Sequence, residues 1–145
     1  MLQLLEALEV ERAGVVKKLA GLSDDDARRT TVVSGTNLAG LLQHLTFVES
    51  KWFGQVVAGT RPDTSKRSMQ VDPDVSLRTL RAEYRAACEA SNEIIRSIGD
   101  ADAAVLHNGD VRNLRWVMLG LIQETARHAG HADIIREQID GRTGR

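Results

Sequence analysis

Apolar residues recur at intervals of three and four along four long stretches of the chain. This spacing places them on one face of an α-helix and predicts four amphipathic helices. The predicted helices cover residues 2–20, 37–58, 75–98 and 113–140. Residues 23–26 predict a further short helical turn. The expected fold class is therefore all-α, a four-helix bundle, formed as a single domain over residues 1–145.

Glycine and capping residues mark the ends of these helices. Asn113 is the predicted cap of the fourth helix and Gly141 its stop, while Ser34 or Thr36 is expected to cap the second. The polar segment 60–74, which holds both prolines, predicts the longest loop. We interpret His107, in the polar stretch 106–110, as a loop residue.

Composition narrows the function classes. The chain has 145 residues, and its 19 basic and 20 acidic side chains give a net charge of -1, which argues against general nucleic-acid binding. One cysteine excludes an intrachain disulfide framework and a cysteine-rich zinc site. The apolar runs are too short to cross a bilayer, and the start lacks a signal-peptide pattern. We expect a soluble cytoplasmic protein.

Polar residues interrupt the apolar face of the fourth helix. Glu124 and His128 lie within that face, one turn apart, and His131 lies at its edge. His44 lies at the edge of the apolar face of the second helix. Together His44, Glu124 and His128 offer three nitrogen and oxygen ligands, a pattern of catalytic metal sites that suits Zn, Ni, Fe or Mn.

Ordinary structural roles account for the same residues. A histidine on an apolar face is more often a core or surface side chain than a ligand, and Glu124 has Arg127 and Arg115 as alternative partners. The spacing alone leaves both interpretations open.

Two more charged residues, Arg12 and Glu49, lie on the apolar faces of the first and second predicted helices. A buried ion pair between Arg12 and Glu49 would explain both, since buried charges are usually paired. The alternative has Glu49 orienting a metal-bound histidine. Cys88 is interpreted as a small core residue.

Two segments resemble a known family. Residues 34–53, SGTNLAGLLQHLTFVESKWF, and residues 115–133, RWVMLGLIQETARHAGHAD, resemble the second- and fourth-helix motifs of the DinB-like superfamily. The match is nearest to its actinobacterial branch of mini-circle proteins and covers nearly the whole chain.

The resemblance implies a metal held by His44, Glu124 and His128. Many relatives have histidine where this chain has Glu124, and the His/Glu/His set is similar to the thiol-dependent branch that includes mycothiol-dependent maleylpyruvate isomerase. In that branch the metal is thought to bind a thiol cofactor and lower its pKa. His131 would assist as a base, or would close the site as a fourth ligand.

The resemblance predicts a divalent-metal-dependent transferase that joins a low-molecular-weight thiol to a small electrophile. The expected cofactors are Zn or Ni, with mycothiol as cosubstrate, and a homodimer is expected. The isomerase carries an additional C-terminal domain, so its own reaction is not expected here. The alternative is a non-catalytic dimeric bundle with a structural or vestigial metal site, acting in binding or sequestration.

Overall fold

Helices account for most of the computed structural model, which describes residues 1–60 and 69–143. The mostly helical prediction is thereby confirmed. The helices are α1 (Leu2–Lys18), α2 (Asp24–Arg28), α3 (Leu38–Glu49), a π-helical segment π1 (Ser50–Val57), α4 (Leu77–Ile98) and α5 (Leu114–Asp140). Among the described residues, none of these helices has the length and apolarity needed to span a membrane.

Side-chain caps fix where the helices begin. The Asn113 side chain accepts a hydrogen bond from the Trp116 amide, and Gly141 ends α5 in the left-handed conformation, both as predicted. The prediction for α3 was wrong by one to three residues. Asn37, instead of Ser34 or Thr36, caps this helix by accepting from the Gly40 amide.

The second predicted helix is divided in two. Its α-helical part ends at Glu49, and π1 continues to Val57, closed by a hydrogen bond from the Ala58 amide to the Phe53 carbonyl. Wider π turns are found often at functional sites. Of the loop predicted at 60–74, residues 61–68 lie outside the described residues.

A hairpin replaces the loop predicted around His107. Strands β1 (Ala104–His107) and β2 (Asp110–Asn113) pair antiparallel, with Val105 opposite Arg112 and His107 opposite Asp110. Asn108 and Gly109 turn the chain with positive φ angles of 53° and 85°. Two such residues form the tight turn that suits a hairpin, so the loop interpretation was wrong.

Helix packing places α3 opposite α5. α1 packs along α5, and α3 packs against both α4 and α5. Buried aliphatic side chains such as Leu42, Leu80 and Ile135 fill one end of the interior, and Phe53, Ile95 and Leu114 lie in a second cluster.

The predicted ion pair between Arg12 and Glu49 is present in the interior. Arg12 Nε donates to Glu49 Oε1 over 2.8 Å, and Arg12 Nη2 donates to Oε2 over 2.6 Å. Both side chains are buried. Since Arg12 engages both carboxylate oxygens, the contacts favour the structural role of Glu49 over one in orienting a metal-bound histidine.

Candidate metal centre and adjoining groove

α3 and α5 bring three of the predicted site residues together. His44 comes from α3, and Glu124 and His128 lie one turn apart on α5. Their potential ligand atoms all lie within 4.8 Å of one another. Glu124 Oε1 lies 3.0 Å from His128 Nε2 and 3.3 Å from His44 Nε2. We call these three residues the triad.

The pKa shifts of Glu124 and His128 suit a metal ligand set. Burial by itself raises the pKa of Glu124, but the hydrogen bonds with His44 and His128 outweigh it and hold that pKa below its usual value. Burial lowers the pKa of His128, against the opposing effect of Glu124. An ionised carboxylate and a neutral imidazole are the forms that bind metal ions.

The second oxygen of Glu124 has its own partner. Arg127 Nη1 lies 3.1 Å from Glu124 Oε2, so the pairing predicted as an alternative coexists with the histidine contacts. Arg115, the other alternative partner, instead binds Asp102. One carboxylate oxygen therefore faces the two imidazoles, while the other is hydrogen-bonded to Arg127.

The donor set fits a divalent ion. Two imidazole nitrogens and one carboxylate oxygen suit Zn, Ni, Fe or Mn. The side chains of His44 and Glu124 are 23% and 27% exposed, against 11% for His128. The triad is thus accessible from the His44 and Glu124 side. His128 Nδ1 is buried and has no hydrogen-bond partner among the described residues.

His131 lies beside the triad without joining it. Its ring centroid is 5.4 Å from that of His128, and the side chain is exposed. It does not belong to the cluster of ligand atoms. This placement gives no support to a fourth-ligand role, and the His131 ring is in contact with solvent.

A groove of about 330 Å³ adjoins the triad, and sequence reasoning missed it. His44 and Glu124 line one end, and Trp52 and Trp116 line the other. The indole centroids lie 5.7 Å apart. His107 packs on Trp52 at 4.9 Å, so the hairpin contributes to this aromatic end.

Sequence signals for the groove existed. Trp116, Gly120 and Glu124 recur every four residues and therefore share one face of α5. The Asn108-Gly109 pair signalled the hairpin that carries His107.

The fold and the triad define a helical protein with a three-residue, metal-type donor set. The chain belongs to the mycothiol S-transferase family, a DinB-like family, whose model matches residues 3–141. The suspected DinB-like membership is confirmed.

One solved structure shows the same fold. It is described as the conserved protein of locus from Enterococcus faecalis, with a TM-score of 0.81, 12% identity, and coverage of 97% of this chain and 96% of that one. At this identity the likeness concerns the fold alone. No curated protein matches the chain significantly.

Proposed function

We propose that this protein is a divalent-metal-dependent transferase that joins a low-molecular-weight thiol, mycothiol, to a small electrophile. The observation that carries the proposal is the triad, assembled from two helices at one end of an open groove in a member of the mycothiol S-transferase family. The groove offers the electrophile a place beside the triad.

The chemistry requires a thiolate at neutral pH. A free thiol has a pKa of about 8.5, and a divalent ion held by His44, Glu124 and His128 would lower the pKa of a thiol that binds it. The thiol loses its proton, a new carbon–sulfur bond forms, and the leaving group departs with its electron pair.

Side chains of the protein itself hold the triad in place and carry the proton away. Arg127 holds the outer oxygen of Glu124, which keeps Oε1 directed at the two imidazoles. The ring of His131, exposed and next to His128, is the proposed carrier of the thiol proton to solvent. The groove walls orient the electrophile toward the triad.

The accessible triad favours an enzyme over the non-catalytic alternative. A structural metal site is expected to be closed by four protein ligands. Here the cluster among the described residues has three, and two of them line the groove. This arrangement supports a site with room for a thiol.

A conjugation assay tests the proposal. Zn- or Ni-loaded protein is incubated with mycothiol and monobromobimane, and the thioether is quantified. We expect a chelator, His44→Ala or His128→Ala to abolish turnover. His131→Ala should keep its metal and lose about a hundredfold in rate. Turnover that is unchanged by the chelator and by His44→Ala would contradict the proposal.

We also propose that the four long helices form one DinB-like four-helix bundle domain. Two observations support this architecture: α1 packs on α5 while α3 packs on α4 and α5, and the Enterococcus faecalis structure is similar over 97% of the chain.

The homodimer remains a prediction, which light scattering on the purified protein tests.

A further inference from the structure

A glycine in the second turn of α5 lines the groove beside the triad. Gly120 lies one turn from Trp116 and one turn from Glu124 on the same helix face. A Cβ atom at Gly120 would have no neighbouring atom within 4 Å. No side chain from this position fills the space between the indole and the carboxylate.

The walls of the groove are apolar and aromatic. Phe47, Val48 and Trp52 face Val117 and Leu121 across it. Both tryptophans of the chain line this one groove. A flat ring packs well in such a groove, through offset or edge-to-face contact with an indole.

Positive charge accompanies the aromatic end. Lys51 lines the groove, with Nζ 5.7 Å from the centroid of Trp52. The Arg112 guanidinium lies 5.4 Å from the centroid of Trp116 but is paired with Asp110 over 3.0 Å, so the charge that faces the groove is that of Lys51. The acidic side chain on the groove wall is Glu124, at the triad end. The charges therefore favour an anionic group at the tryptophan end.

We infer that Gly120 determines specificity by admitting a flat electrophile, which lies over it between the Trp116 indole and the triad and directs an anionic substituent toward Lys51. The inference rests on the proposed function only in treating the bound molecule as an electrophile. The binding step itself needs neither thiol nor turnover.

Tryptophan fluorescence tests the inference directly, because both emitters line the groove. The probes are 4-nitrobenzyl alcohol and its anionic counterpart 4-nitrobenzoate, nitroaromatics that quench indole emission, titrated into protein as purified. We expect saturable quenching by both probes, with the anion bound about two- to fivefold more tightly.

A substitution at Gly120 that adds a large side chain should close the groove. Gly120→Leu is expected to weaken both probes about tenfold or more. Gly14→Leu is the matched control, since Gly14 is also a helical glycine with open space around its Cβ and lies on α1, away from the groove lining. Circular dichroism checks that both variants fold.

Lys51→Met should remove the preference for the anion while retaining the neutral probe. Equal affinity in Gly120→Leu and the parent, or no saturable quenching in the parent, would overturn the inference. A preference for the anion that persists in Lys51→Met would overturn the role of Lys51. Failure of the conjugation assay with these binding results intact would refute the proposed function alone.

Discussion

Arg12 and Glu49 show how this chain accommodates charge inside its interior. The two side chains are 3% and 1% exposed, and two hydrogen bonds join them. Arg12 Nη1 also donates to Glu9 and Asn92. Removing one member of such a pair leaves the other buried without its partner, which costs far more than the net value of the pair.

Glu49→Gln is therefore expected to lower the free energy of unfolding by about 3–5 kcal/mol. Glu9→Gln is the control, because Glu9 is 48% exposed and its contact with Arg12 should contribute less than about 1 kcal/mol. Guanidinium denaturation measures both. The metal content of folded Glu49→Gln should equal that of the parent, and its loss would revive the metal-orienting role.

Cys88 belongs to the hydrophobic core, as the sequence predicts. It is a free, buried cysteine on α4, and burial raises the pKa of its thiol to about 12. Because the pKa in the folded protein lies above the ordinary value of about 8.5, the thiol keeps its proton throughout the neutral and mildly alkaline range.

Native protein at pH 8 should accordingly react negligibly with Ellman's reagent, since the thiolate is the reactive form. In denaturant, one thiol per chain should react within minutes. Cys88→Ala provides the blank. Rapid stoichiometric reaction of the native protein would show that Cys88 is accessible and ionised, contrary to the structure.

At the scale of elements, local sequence signals predicted the helices and several of their ends. The π-helical segment and the hairpin were not predicted. The cap at Asn113 and the stop at Gly141 were readable because both are local. The change to π1 after Glu49 was not readable, because apolar residues at three- and four-residue spacing suit either helix type. The hairpin was missed even though Asn108-Gly109 signalled it.

The first turns of α3 pack against a segment that is distant in sequence. A Cβ at Gly40 would lie 2.2 Å from the Met69 carbonyl oxygen, a backbone atom with little freedom to move. Gln43 Nε2 donates to the next carbonyl, that of Gln70, over 3.1 Å. The segment after the gap in the described chain is thus packed directly against α3.

Gly40→Ala should therefore destabilise the protein by about 1–3 kcal/mol through overpacking. Gly14→Ala should stabilise it by up to about 1 kcal/mol, because alanine is the better helix former and its Cβ meets open space. Thermal unfolding compares the two. A Gly40→Ala variant as stable as the parent would mean that residues 69–70 do not pack on α3 as described.

At the scale of the whole molecule, the site depends on helices that are far apart in the sequence. His44 and Glu124 are separated by 80 positions, and they meet because α3 packs on α5. Helical periodicity placed each residue on an apolar face but left open which faces meet. The DinB-like resemblance supplied that pairing. Neither argument gave the groove, because α3, π1 and α5 line it together and the hairpin only packs against its Trp52 end.

Metal binding by the triad is the central claim, and direct titration tests it best. Protein purified without a chelating tag and then stripped of metal is titrated with Zn and with Ni by calorimetry. The account predicts about one ion per chain for the parent and for the control His107→Ala. His44→Ala and His128→Ala should lose this binding. Unchanged stoichiometry and affinity in both variants would contradict the account.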